Sequence, residues 1–263
     1  MKKKVISATV TPLLENGNSF GSGKNDWDRI VRHFAGPDAA DPWCWLFYGD
    51  SITHGAAHTH GWRSFPEIFS ERVRWEIHHM HDVVINTGIS GNTSADLLHD
   101  YDWRVRHWHP QSVFLLIGIN DIVKLDDLDR YRENLLRLVA QIREDGAIPI
   151  LQTYPPIQKH PEIPGYWKRY RELPAYHEAI RQIAQREDVI LIDHARRWQD
   201  FASDPVALAA RLGEPIHPGA LGHLEMAKEI FRTFGVYDPE ANTSNPVGIP
   251  FSIPLAAGDG GCR

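Results

Sequence analysis

The chain has 263 residues, 42% of them hydrophobic, with a formal net charge of −6, 15 histidines and two cysteines. That length and apolar content sustain one sizeable α/β core, and interspersed charges with an acidic excess provide no basic stripe for phosphates, which argues against a nucleic-acid partner. Nowhere do about 18 apolar residues follow one another, so no membrane span is predicted, and Cys44 and Cys262, far apart in the chain, read as free thiols.

Met1 to Lys4 is basic, but the apolar stretch after it is broken by Ser7 and Thr9 and ends at Pro12. No secretory leader is therefore expected, and the location predicted is cytoplasmic. Residues 1–40 read as an N-terminal extension with a short helix over 26–34, residues 41–237 as the main domain, and residues 238–263 as a Pro/Gly-rich tail. Within the extension, Gly17-Asn18-Ser19-Phe20-Gly21 matches the Gly-x-Ser-x-Gly elbow of α/β-hydrolases. That elbow needs a strand before it and a helix after it; here the flanks read as loop, and Ser19 is set aside.

Five apolar runs then recur at roughly even intervals: Trp43 to Tyr48, Asp82 to Asn86, Ser112 to Ile117, Ile148 to Thr153 and Val189 to Asp193. Their length and near-continuous apolar character predict strands buried on both faces. Between them, Phe65, Ile68, Phe69, Arg72, Val73 and Ile77, and again Leu128, Tyr131, Leu135, Leu138, Val139 and Ile142, repeat at helical spacing. Alternation of this kind predicts a three-layer α/β/α sandwich on a five-stranded parallel sheet in the flavodoxin-like order 2-1-3-4-5. Residues 154–174, rich in proline and aromatic side chains, read as a loop on the edge where ligands bind.

Chemistry is expected just beyond the carboxyl ends of the strands. Gly49-Asp50-Ser51 follows the first run, Asn86 to Ser94, with Gly91, follows the second, and Gly118-Ile119-Asn120-Asp121 follows the third. In the predicted order the second and third strands flank the first, which puts Gly91 and Asn120 on either side of Ser51. A serine hydroxyl needs a base within hydrogen-bond reach, and an acyl-transfer intermediate needs preorganised donors around its oxyanion. The N–H groups of Ser51 and Gly91 and the Asn120 amide are candidates for the donors. His217, in Gly213-Glu214-Pro215-Ile216-His217-Pro218, is the candidate base, with Glu214 three residues earlier as a partner for its other ring nitrogen. Asp193 is a reserve candidate for that acid, and a backbone carbonyl a third possibility. Asp50 reads as a turn-bracing residue, Asn92 or Thr93 as a helix cap, and His223 as a packing residue.

These four ordered blocks, Gly49-Asp50-Ser51, Gly91, Gly118-Ile119-Asn120-Asp121 and Glu214-x-x-His217, resemble those of the SGNH (GDSL-like) lipase and esterase family. The resemblance spans residues 47–223 and implies a serine esterase: Ser51 the nucleophile, His217 the base, Ser51, Gly91 and Asn120 the oxyanion hole. Asn86 to Ser94 and the His-Pro pair are most like the thioesterase and lysophospholipase branch. Glutamate at 214, where the family usually has aspartate, is a departure. The aromatic residues after the fourth strand, Tyr154, Tyr166, Trp167 and Tyr170, are candidate sugar contacts or else pack that loop onto the domain, and Asp121 reads as bracing its loop, with a direct substrate contact as the alternative. A short-chain, acetyl-type ester of a carbohydrate is the substrate this favours. The alternatives are a lysophospholipase or acyl-thioesterase, or a non-catalytic carbohydrate-binding protein on the same fold. No cofactor is expected, and the sets His54, His58, His60 and His78, His79, His81 lack the spacing of a metal motif, so no metal is expected either.

Overall fold

The apolar runs form parallel strands β1 (Cys44–Gly49), β2 (Val83–Asn86), β3 (Ser112–Leu116), β4 (Ile148–Gln152) and β5 (Ile190–Ile192), hydrogen-bonded in the order β2-β1-β3-β4-β5. The structure, a computed structural model, describes residues 24–36, 41–55 and 57–246. The serine motif around Ser19 and the second cysteine, Cys262, lie outside the described residues. β1, β3 and β4 are buried almost throughout. β2 is not, because it is an edge strand covered on one side only, and Val83 stays 52% exposed.

Helix α1 (Lys24–Ala35) precedes the sheet, and α2 (Ser51–His54) and α3 (Phe65–Glu71) join β1 to β2. α4 (Ser94–Arg104) joins β2 to β3, α5 (Asp121–Lys124) and α6 (Leu128–Glu144) lead to β4, and α7 (Pro164–Arg186) leads to β5. After β5 come α8 (His194–Arg197), α9 (Gln199–Ala202), α10 (Pro205–Ala209) and α11 (Ala220–Thr233). α4, α6 and α7 pack in sequence, while α3 packs on α11. Right-handed crossovers require this division, since the path from β1 to β2 runs opposite to all the later ones and puts its helix on the other face. Among the described residues, no helix is long and apolar enough to cross a membrane.

Alternation along β1 sends Trp45 and Phe47 to one face and Leu46 and Tyr48 to the other. Phe47 stacks on Phe114 of β3 at 4.3 Å and meets Phe65 and Phe69 of α3 edge-on. On the opposite face the Tyr48 hydroxyl donates to the Leu97 carbonyl of α4. Truncating one of these buried rings to alanine costs about 3–5 kcal/mol.

α1 extends beyond the helix expected from its sequence and is pinned to the sheet. Phe34 stacks on Trp45 at 5.2 Å, and the Trp27 indole donates to the Thr233 carbonyl at 2.9 Å. His33 Nε2 lies 2.8 Å from Asp82, whose buried carboxylate also accepts from the Trp43 amide and the Trp45 indole. Asp82 is thus a strut before β2 rather than its first residue. Residues 238–246 also lie against the domain, with Thr243 donating to Glu76 through its amide at 3.1 Å and through its hydroxyl.

The stretch 154–174 is not all loop. α7 begins at Pro164, where proline is well tolerated because a first-turn N–H lacks an intrahelical partner, and it continues through Pro174. Tyr166, Trp167 and Tyr170 therefore project from the first turns of a helix.

Candidate active site

The serine is placed by the end of β1. A side chain at Gly49 would lie 2.3 Å from Thr53 Oγ1 and 2.4 Å from the Leu116 carbonyl, so only glycine lets the strand turn here into α2. Asp50 caps that turn, accepting the Ile52 amide at 3.1 Å and the Tyr154 hydroxyl at 2.5 Å. Burial pushes its carboxyl up to about 6, with the Tyr154 and Ile52 donors pulling the other way. The loop after β2 stays bonded to the end of β1, Ile89 N–H to the Gly49 carbonyl at 3.1 Å, which brings residues 88–94 beside Ser51.

Across 166 residues of sequence, Ser51 Oγ donates to His217 Nε2 at 2.7 Å. His217 Nδ1–H donates to Glu214 Oε1, and Tyr166 holds the other Glu214 oxygen at 3.1 Å. Burial acts to raise the Glu214 carboxyl, but hydrogen bonds from His217 and Tyr166 and the His217 charge outweigh it and hold the group below its ordinary value. The loop carrying the pair is tied by Gly213 N–H to the His217 carbonyl at 2.9 Å. The longer side chain at 214 therefore reaches the ring. Asp193, the reserve acid, is occupied elsewhere: Arg181 binds both its oxygens at 2.7 and 3.0 Å, Thr153 donates to it, and it caps α8. His223 is buried and accepts the Phe65 amide at 3.2 Å.

Asn120 lies in the turn after β3. Its Oδ1 accepts from Arg169 at 3.3 Å, which turns Nδ2 toward the Asn92 carbonyl at 3.0 Å and Asp50 at 3.4 Å. Gly91 sits half-buried in a turn with φ 82°, its carbonyl bonded by Lys124. Arg104, wholly buried, joins the first two blocks by donating to the carbonyls of Gly49 and Thr87 and to Asn92 Oδ1. Thr93 caps α4 in a reciprocal box with Asp96.

One candidate substrate contact is corrected, and Asp121 takes the bracing role of its two readings. Tyr154 is buried, because the Asp50 carboxylate beneath the serine needs its hydroxyl as a donor. Asp121 is also buried, accepting both the amide and the hydroxyl of Ser94 and so bracing the loops after β2 and β3. Trp167 remains half-exposed and stacks against Tyr170 at 5.7 Å, with the Lys159 ammonium over its ring.

Sequence reasoning placed Tyr166 among the candidate sugar contacts and missed its bond to Glu214, and it missed Arg169, Arg104 and the position of His58. Tyr166 and Arg169 are three apart on α7, a spacing that points to one face once the segment is read as a helix. His58 stacks on His217 with ring centroids 3.6 Å apart and planes 9° from parallel. Two groups of ligand-type side chains occur among the described residues, His33 with His79 and Asp82, and His58 with Glu214 and His217. Neither collects His54, His58 and His60, or His78, His79 and His81. Parallel imidazoles direct their lone pairs in parallel planes, so His58 and His217 do not converge on one ion.

The sequence pattern of the GDSL-like lipase/acylhydrolase family matches residues 47–224. An acetylxylan esterase from Geobacillus stearothermophilus is 29% identical over 210 residues, covering 72% of this chain and 93% of that protein. Its crystal structure superposes with a TM-score of 0.63 at 22% identity, covering 77% of this chain and 98% of the other. Solved variants of it described as catalytic mutants replace a serine, an aspartate and a histidine. An alpha/beta hydrolase enzyme from the metagenome of Lake Arreo, Spain, gives a TM-score of 0.63 at 22% identity, covering 77% of this chain and all of that one. At such identities the structural likeness establishes the shared fold.

Proposed function

Because the chain belongs to the GDSL-like lipase/acylhydrolase family and is a carboxylic ester hydrolase, we propose that it removes short acyl groups, acetyl above all, from carbohydrate esters through a Ser51 acyl-enzyme. The observation that carries this reading is the continuous hydrogen-bonded chain from Ser51 through His217 to Glu214. His217 Nε2 takes the Ser51 proton as Oγ attacks the ester carbonyl. The tetrahedral intermediate collapses with that proton passing to the departing sugar oxygen, leaving acyl-Ser51 and the free hydroxyl. Water, deprotonated by the same nitrogen, then attacks the acyl-enzyme, releasing the carboxylic acid and returning the proton to Ser51.

The N–H groups of Ser51 and Gly91 and the Asn120 amide receive the oxyanion. The Asn120 contact to Asp50, at 3.4 Å the longer of its two, is the one an oxyanion would replace. Glu214, fixed by Tyr166, balances the charge that His217 acquires. The half-exposed Trp167 on the first turn of α7 supports a sugar-stacking role. The acetylxylan esterase relative, similar over most of both chains, supports acetylated carbohydrate as substrate class.

The test is acetate release from acetylated xylo-oligosaccharides set against hydrolysis of nitrophenyl esters from acetyl to lauroyl. The reading requires acetate release and a kcat/KM that falls with acyl length. A kcat/KM that rises steadily toward lauroyl, with no acetate released from the sugar, would overturn the substrate assignment.

A further inference from the structure

A second histidine lies flat on the proposed base, and the mechanism above does not use it. His58 belongs to a run of tight turns after α2, with His60 N–H bonded to the Ala57 carbonyl and Trp62 N–H to the Thr59 carbonyl, both at 3.0 Å. Thr59 is buried and its hydroxyl holds the Gly55 carbonyl at 3.0 Å. Ala57 and His60, on either side of His58, both carry positive φ, 48° and 51°, a region that non-glycine residues avoid and that persists where surrounding structure imposes it. On the other side, the His58 carbonyl presses on Gly213: a side chain there would come within 2.4 Å of it. Unusual backbone at 57 and 60 and a glycine at 213 thus combine to set the segment against the loop that bears Glu214 and His217.

We infer that His58 is a positioning residue for the base, its ring restraining the plane of His217 and covering the charge that ring gains during turnover. The two hydrogen bonds of His217, to Ser51 and Glu214, lie in its ring plane and leave its faces unrestrained. The parallel stack at 3.6 Å restrains the tilt that they do not. A neutral aromatic face also attracts a cation placed over it, more strongly where water is excluded. His58 is kept in the neutral form this requires: burial lowers its tendency to protonate, as do His217 and His60, while Glu214 opposes them.

This inference rests on His217 being the base, and the experiment separates the two. His58→Leu and His58→Gln remove the flat ring, His58→Phe retains one that cannot titrate, and His217→Ala is the reference. Each is assayed with nitrophenyl acetate for kcat and KM, checked by thermal melting, and examined by proton NMR for the downfield His217 Nδ1–H signal. The expected result is a kcat about 10- to 30-fold lower in the Leu and Gln variants with KM within about threefold, and recovery to within about threefold of the parent in the Phe variant. The Nδ1–H signal should stay sharp in the Phe variant and broaden in the other two. If His217→Ala is inactive while either the Leu or the Gln variant keeps the parent kcat and a sharp signal, the role given to His58 falls and the base assignment stands. A Phe variant as impaired as the ringless ones would also overturn it, since the flat face would not be what matters. If His217→Ala retains activity, both assignments fall.

Discussion

Replacing Glu214 with glutamine isolates charge from geometry. The amide can still accept from His217 Nδ1–H and pair with Tyr166, which hold its two oxygens in the parent. What it loses is the negative charge facing the imidazolium. Two unit charges about 4 Å apart at an effective dielectric of about 20 attract by ~4 kcal/mol. The Glu214 side chain is 28% exposed and His217 14%, so solvent screening trims this to about 2–3 kcal/mol. That converts to a kcat about 30- to 150-fold lower, with KM little changed, because the proton His217 takes from Ser51 adds its charge in the transition state. Steady-state hydrolysis of nitrophenyl acetate, with a melting curve for each variant, reads the effect. Asp193→Asn is the companion, expected to lower stability by about 1–2 kcal/mol through its Arg181 partnership while leaving kcat intact. A Glu214→Gln enzyme of full activity, or an Asp193→Asn enzyme crippled equally, would refute the reasoning.

Asn120→Ala should lower kcat by about 10²–10³ with a smaller change in KM and a normal fold, as removal of an oxyanion donor does; an unchanged kcat would return Asn120 to bracing the turn. Trp167→Ala should raise KM for acetylated oligosaccharides several-fold and leave nitrophenyl acetate untouched, and equal effects on the two substrates would remove the stacking role. Burial pushes His177 down to about 4 and His194 and His223 to about 3, from an ordinary 6.5. The unfolded chain therefore takes up protons first: stability from these groups is complete above about pH 6.5 and is lost as pH falls toward 3. Asp50, raised to about 6, works in the opposite sense over roughly pH 4–6, as do Asp121 and Glu229, also raised by burial, while Glu76, Asp193 and Glu214, held low by their partners, add to the loss on the acid side. Melting temperature should drop between pH 7 and 4.5, with a shallower slope in His223→Gln, and a flat profile would contradict the sign.

The sheet was legible because its strands are short apolar runs, most of them ended by glycine, aspartate or asparagine, and four of the five observed strands fall within the runs that announced them, β1 running one residue further to Gly49. The order of motifs after β1, β2 and β3 also carried over into space: Ser51, Asn120, His217 and Glu214 come together at one end of the sheet. Where the sequence misled, a local feature stood for a tertiary one. Prolines between 154 and 174 suggested a loop, yet Pro164 is the first residue of a helix. Tyr154 had the composition of a sugar platform, but a buried carboxylate at Asp50 claims its hydroxyl. The stack of His58 on His217 joins distant segments through a face-to-face contact, which leaves no periodicity or spacing to read. Its only local trace is Gly213, whose purpose is invisible until the His58 carbonyl is seen against it.

The central claim is that Ser51 carries the acyl group. Acid-quenching the enzyme during turnover of nitrophenyl acetate, then digesting it and mapping the modified peptide by mass spectrometry, tests this directly. The account predicts a single acetyl group on Ser51, accumulating further in an Asn120 or Glu214 variant only if deacylation is slowed more than acylation, and absent from Ser51→Ala along with activity. Acetylation at any other serine with retained turnover in Ser51→Ala would contradict it.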